Sequence, residues 1–407
     1  MNKEQWIKYF PYKEPRKEQE IAIDFILNAF LDKKKRYAVL GAPTGCGKSG
    51  IAITVARYLA DNYQATAPYN NGAYILTTQK ILQEQYMRDF SEPHGCLKNI
   101  KSSENYSCSY YKQQTCAESR RMLKFAQKSS TFFSACINDC VYKQAKAEFL
   151  DSLESITNYS YFLSETVYAG KIKPRNLMIC DETHNLSDEI SKFAEISFSE
   201  FFANSIGMIM PDIKSDAQAM KWIKNEYKPT LIKYAEGLEA IVNDELTRKK
   251  IDESELKKLA KKFEKIDKHI CKINRFLDDY DKDNWVLDIS VTKEKTTRRL
   301  EFKPVDVAVY AKELLLNFSE FFVMMSATVL DKAIFCKQLG IDENEIDYLS
   351  LESPFPLENR PIFYAPAGSM TYQNIDATLP KLVEVIKVLL EHHKKDKGLI
   401  HCSSYRV

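Results

Sequence analysis

The sequence predicts an α/β fold: a parallel sheet interrupted by two inserted modules and followed by the start of a second α/β unit. It rests on three features. Short apolar runs at 37–40, 73–77, 176–180 and 321–325 have the character of strands buried on both faces. Helical periodicity lies among them, at 21–30 and 50–63, in the strand–helix alternation of a parallel sheet. Five of the ten cysteines fall within one 45-residue stretch, 96–140, which marks a metal-holding module set into the sheet rather than more of it.

Size agrees with this. A chain of 407 residues, 44% hydrophobic, has apolar material for two or three domains. Its 58 basic and 56 acidic residues leave a net charge of +2, so any nucleic-acid site must be a local patch. The opening MNKEQWIKYF lacks a signal-peptide core, and no stretch approaches the ~18 apolar residues of a membrane span, so a soluble, cytoplasmic protein (nuclear in a eukaryote) with no membrane partner is expected. In such a reducing compartment the cysteines should be thiols or metal ligands.

In chain order, residues 1–95 form the first part of the principal domain, 96–150 the cysteine module, and 151–187 a return to the sheet. Between 188 and 284 the pattern changes to long helices. Leu256, Leu259, Phe263, Ile266, Ile270, Ile273 and Leu277 step by three and four behind a capping-box pattern at Asp252 and Glu255, which predicts a helical insertion. Within 285–335, β-branched and aromatic residues flank a charged turn, predicting a hairpin that brings the chain back to the sheet before the strand at 321–325. Residues 336–407 should begin a second α/β unit, with a strand near Ile362, a helix over 379–392 and a strand over 398–401.

The chemistry starts at the first strand, which runs into Ala42, Pro43, Thr44, Gly45, Cys46, Gly47, Lys48 and Ser49 with a helix directly behind. Glycines let backbone N–H groups approach phosphate, the lysine puts charge on the β/γ oxygens, and the serine hydroxyl suits Mg²⁺. Cys46 reads as a passive loop residue. Asp181 and Glu182 follow the strand at 176–180, where one carboxylate can hold Mg²⁺ and the next can activate water. Asp181 is assigned to the metal and Glu182 to the base. Alone the pair is a weak signal that a solvated strand end would also give; with the phosphate loop it becomes strong.

Within the module, Cys108, Cys116, Cys136 and Cys140 are spaced C-x7-C-x19-C-x3-C, compatible with a [4Fe–4S] cluster or with tetrahedral zinc; buried unliganded thiols are the third possibility. Residues 96–150 carry nine basic and four acidic residues, a net +5, interleaved with Tyr106, Tyr110, Tyr111, Phe125 and Phe132. Such a mixture suits single-stranded DNA, although a small helical core would account for some of the rings.

Together these segments resemble the XPD/DinG family of superfamily 2 helicases, over essentially the whole chain. The loop has Ala42 where the general pattern has glycine, a familiar variation there, and Asp181-Glu182-Thr183-His184 resembles the D-E-A-H box with Thr183 in place of alanine. Phe10 to Arg16 with Gln19 looks like the family's first motif, whose glutamine reads adenine. Thr77, Thr78, Gln79, Gln83 and Gln85 resemble its DNA-backbone motif, and Ser326-Ala327-Thr328 the motif that couples nucleotide state to domain movement. Residues 352–356 and 398–405 resemble its passage into a second motor domain. The segment ending at Cys108 looks like the first iron–sulfur ligand, though Ser102-Ser103 replaces the usual Gly-Arg, and Cys140 looks like the last, leaving Cys96 spare.

The resemblance implies a RecA-like P-loop motor domain with an iron–sulfur module and a helical arch. It implies ATP, Mg²⁺ and a [4Fe–4S] cluster as cofactors, and 5′ to 3′ movement on single-stranded DNA with unwinding at duplex junctions. Since the second domain normally supplies an arginine to the γ-phosphate, the chain is expected to be an N-terminal fragment. The alternative is a non-catalytic nucleotide- and DNA-binding module with zinc on its cysteines.

Overall fold

The computed structural model describes residues 2–91, 97–247, 253–292, 297–328 and 331–402. The chain divides into two compact units, 1–354 and 355–407.

The first unit is built on seven strands: β1 (Tyr37–Gly41), β2 (Asn70–Thr77), β3 (Leu97–Asn99), β4 (Glu154–Asn158), β5 (Arg175–Asp181), β9 (Ser319–Ser326) and β10 (Ile346–Ser350). They pair in the order β10-β1-β9-β5-β2-β4-β3, every pair parallel. The apolar runs divide their side chains between two cores. Val39, Tyr74, Leu76, Met178, Cys180, Phe322 and Met324 enter one, while Ala38, Leu40, Ile75, Leu177, Ile179, Val323 and Met325 enter the other. A sheet covered on both faces has no polar face to offer, which is why these strands show no alternation in sequence. Each fully buried aliphatic side chain adds about 1.5–3 kcal/mol.

Strand order places the site. β9 lies between β1 and β5, with Gly41 in register with Ser326 and Asp181 with Met325. Three carboxyl ends far apart in sequence therefore become neighbours at strand spacing, about 5 Å.

The structure departs from the sequence expectation in three places. The hairpin β7 (Trp285–Thr292) and β8 (Thr297–Pro304) does not rejoin the large sheet; it forms a separate antiparallel sheet, β6-β8-β7, with β6 (Ile196–Ser199). The helical insertion thus has a sheet of its own, packed through Phe198, Phe276, Trp285 and Phe302. Residues 336–354 belong to the first unit, because β10 extends the large sheet beside β1. In the second unit the helix is Ile375–His392, and 361–370 and 398–402 form no strand. A parallel strand exists only through a ladder to neighbours, and among the described residues this unit has none to pair with. Asp252 of the expected capping box lies outside the described residues. Among those described, no helix is long and apolar enough to cross a membrane.

His269, on helix Glu253–Asp279, lies in the insertion's aromatic core, with Tyr227 Oη 3.1 Å from its Nε2 and the Phe198 ring 5.6 Å away. Burial lowers its pKa from 6.5 to about 4, nearby Lys272 adding to the effect. Below pH 6.5 the unfolded imidazole takes a proton that the folded one refuses. Its contribution is therefore intact at neutral pH and is lost as pH falls from 6.5 towards 4, by roughly 3 kcal/mol. His269→Gln is expected to flatten that part of the stability profile, measured as denaturation midpoints against pH; parallel profiles for the two proteins would refute it.

Candidate nucleotide site and cysteine module

After β1 the chain turns through Ala42 to Gly47 and enters helix Lys48–Asn62. Gly45 and Gly47 have φ of +90° and +75°, where any Cβ is penalised. At Gly47 a Cβ would also stand 2.4 Å from Gln19 Nε2 and 2.9 Å from Arg16 Nη2, so those side-chain ends would have to shift. The close approach comes from helix Lys17–Leu31. The Arg16 N–H donates to Gln19 Oε1 (2.9 Å), and the Gln19 amide nitrogen donates to the Gly47 carbonyl (3.4 Å). With Gln19 only 3% exposed, its amide braces the loop from behind. On the other side the Ala42 N–H donates to the Ser326 carbonyl (2.8 Å), and the buried Cys46 thiol lies 3.9 Å from the Glu352 carbonyl. The loop is thus held at both flanks; the Gly50 and Ile51 N–H groups bond the Gly47 carbonyl (3.1 and 3.3 Å), and those of Lys48 and Ser49, ahead of the first intrahelical bond, suit an anion.

Across the loop, Lys48 Nζ is 3.5 Å from Glu182 Oε1. Asp181 ends β5, its carbonyl accepting from Tyr159 Oη at 2.9 Å. Burial raises the Asp181 carboxyl to about 6, the Glu182 charge adding to the rise and Lys48 opposing it. A divalent cation would relieve both unfavourable contributions, so Asp181 with Ser49 fits Mg²⁺. Glu182 is one of the few non-glycine residues with positive φ (51°), a conformation that costs about 1–2 kcal/mol, and its N–H donates to Asp181 Oδ1 at 3.0 Å. His184 joins this turn to the end of β9: Nδ1 is 2.6 Å from Ser326 Oγ and 3.4 Å from Glu182 Oε2. Ser326 Oγ also accepts the Thr328 N–H (3.1 Å).

The segment expected to meet DNA is divided. Thr77 and Gln83 are fully buried, so neither faces a backbone from this surface; Gln79 and Gln85 are exposed. Burial of Gln83 follows from helix Lys80–Phe90 packing on the sheet through Gln83, Tyr86 and Phe90. Tyr86 went unremarked in the sequence. Its only signal is its spacing of three from Gln83, which places both on one helical face.

In the cysteine module, Cys108, Cys116, Cys136 and Cys140 line one cavity of about 150 Å³, together with Arg120 and Lys143. Cys116 opens helix Cys116–Leu123 behind a Thr115–Glu118 capping box, and Cys140 caps helix Val141–Asp151. Helix starts favour thiolate, and the Tyr111 N–H already donates to Cys108 Sγ (3.3 Å). Sγ of Cys116 and Cys140 are 3.7 Å apart. Burial and the neighbouring sulfurs push Cys116 up and Cys136 to about 11, while Arg120 and Lys143 respectively pull them down. In kind and number the donors fit a thiolate-bound group, although among the described residues no three such side chains already stand at metal-holding geometry. Cys96 lies outside the described residues. Of the aromatic residues, Phe132 is buried and Phe125 packs on Phe263 of the helical insertion (5.7 Å), so both rings serve packing, while Tyr110 is exposed.

Residues 12–210, just under half of the chain, match the family model described as type III restriction enzyme, res subunit. That span includes the loop, the cysteine module and the carboxylate pair. The chain is also similar to a solved XPD helicase. The identity is 18% and the TM-score 0.49, over 83% of this chain and 63% of that one, so the chain spans less than two thirds of its length. No curated protein matches the sequence.

Proposed function

We propose that the chain is the nucleotide-hydrolysing part of a superfamily 2 DNA helicase, which moves 5′ to 3′ on single-stranded DNA and opens duplex at junctions. The observation that carries the proposal is the meeting of Lys48, Asp181 and Glu182 at the carboxyl ends of β1 and β5, with Lys48 3.5 Å from Glu182.

Lys48 neutralises the β/γ-phosphates, and the turn at Gly45 and Gly47 offers its backbone N–H groups to them. Ser49 and Asp181 hold Mg²⁺, which when bound offsets phosphate charge. Glu182, held by Lys48 and the turn, takes the proton of the attacking water. Gln19 senses the nucleotide through the loop it braces. His184, Ser326 and Thr328 form the connection through which the state of Glu182 reaches β9 and the domain beyond. The four cysteines carry a [4Fe–4S] cluster that holds together the basic module meeting single-stranded DNA.

Steady-state ATP hydrolysis with and without single-stranded DNA tests this, with Lys48→Ala as the control. DNA-stimulated hydrolysis that falls roughly 10²–10³-fold in the variant is expected, as when one preorganised group on developing charge is lost. The fold should survive, since Lys48 makes an ion pair but belongs to neither core. Nucleotide binding without hydrolysis in the native chain would replace the motor by a non-catalytic module, and an unaffected Lys48→Ala would remove the phosphate-loop assignment.

A further inference from the structure

Helix Lys80–Phe90 turns three polar atoms into the protein and leaves all three without a hydrogen-bond partner: both amide atoms of Gln83 and the Tyr86 hydroxyl. Gln83 is 0% exposed and Tyr86 2%. Buried polar groups in folded proteins nearly always find partners, and two such residues on one helical face form a concentrated exception. The Tyr86 ring itself is well packed, lying in the core with Ala42, Cys46 and Ile51 and 5.6 Å from the Phe90 ring. Its oxygen is the anomaly. It lies near the Ser49 side chain, without a hydrogen bond of good geometry, and within electrostatic reach of the Asp181 and Glu182 carboxylates. A tyrosine hydroxyl is protonated at neutral pH, so it is available as a neutral O–H group.

Ser49 and Asp181 are the residues assigned above to Mg²⁺, an ion that keeps several of its waters when protein-bound. A neutral phenol at the edge of such a site can accept from a metal-bound water and donate to a carboxylate, which meets both of its needs at once. We propose that Tyr86 is a positioning residue of the magnesium site, its hydroxyl fixing a water of the ion's hydration shell against the Ser49–Asp181 side of the phosphate loop. The inference rests on the nucleotide reading of that loop. It makes helix Lys80–Phe90, whose exposed face carries Gln85, a structural link between metal occupancy and the protein surface.

The test is binding of a fluorescent non-hydrolysable ATP analogue to the full chain, with Mg²⁺ and with EDTA, for the native protein and Tyr86→Phe. Phenylalanine keeps the ring and removes only the oxygen. Expected are unchanged affinity in EDTA, a loss of about tenfold in the tightening produced by Mg²⁺, as for one hydrogen bond in a charged site, and a matching rise in the half-saturating Mg²⁺ concentration. In EDTA the variant should melt at or above the native temperature, since it buries one polar atom fewer. Equal Mg²⁺ tightening in the two proteins overturns the proposal and leaves the hydroxyl to an ordinary buried water; so does a lower melting temperature with the Mg²⁺ response intact, which marks a purely structural residue. The underlying reading fails separately: it falls if Lys48→Ala binds the analogue as the native chain does, whatever Tyr86→Phe shows.

Discussion

Replacing Glu182 with glutamine is expected to leave nucleotide and DNA binding intact while slowing ATP turnover by roughly 10²–10⁴-fold, the usual contribution of a positioned general base. The substitution is nearly isosteric, so the turn at φ 51° and the N–H bond to Asp181 Oδ1 should survive. What disappears is the carboxylate that Lys48 and His184 hold from either side, at 3.5 Å and 3.4 Å. One consequence runs against a simple loss. The Glu182 charge helps to raise Asp181 to about 6; without it the Asp181 carboxyl ionises more readily and Mg²⁺ should bind at least as well. Single-turnover hydrolysis beside analogue binding checks both halves. Turnover within about threefold of native would place the base on another residue, because removing a real base costs at least about 10²-fold.

The candidate site was legible in sequence because its parts are local. A phosphate loop is a strand, two glycines, a lysine and a helix within a dozen residues, and the carboxylate pair sits directly after an apolar run. What brings the two together was not legible. β9 separates β1 from β5 in space while following both in sequence, and no periodicity states which strands are neighbours. The hairpin 285–304 shows the same limit: alternation says that β7 and β8 pair, yet the third partner, β6, lies some 90 residues upstream within a stretch dominated by helices. Gln83 and Tyr86 show it for a helix, since spacing of three and four defines a face but not what that face meets. Only packing against the sheet turns an amide that resembles a DNA contact into a buried one.

For the cysteine module, anaerobically purified protein is expected to be brown and to contain about four irons per chain, since four thiolates are what a [4Fe–4S] cluster requires. Cys116→Ser or Cys136→Ser should bleach it. Both residues are buried on helices that surround one cavity, and Arg120 and Lys143 at its wall suit the negative charge such a cluster carries. The loss should reach beyond colour. A cluster on these four sulfurs would tie their chain segments together, so its binding energy would also be folding energy. Helices Cys116–Leu123 and Thr131–Asn138 should then lose hydrogen-exchange protection, and single-stranded DNA affinity should fall further than affinity for the ATP analogue. Cys271→Ser, at an exposed position on helix Glu253–Asp279, should change none of these readouts. A colourless native protein carrying one zinc would end the iron–sulfur assignment without touching the nucleotide site. A cluster that persists in Cys116→Ser would instead move the ligand to another sulfur.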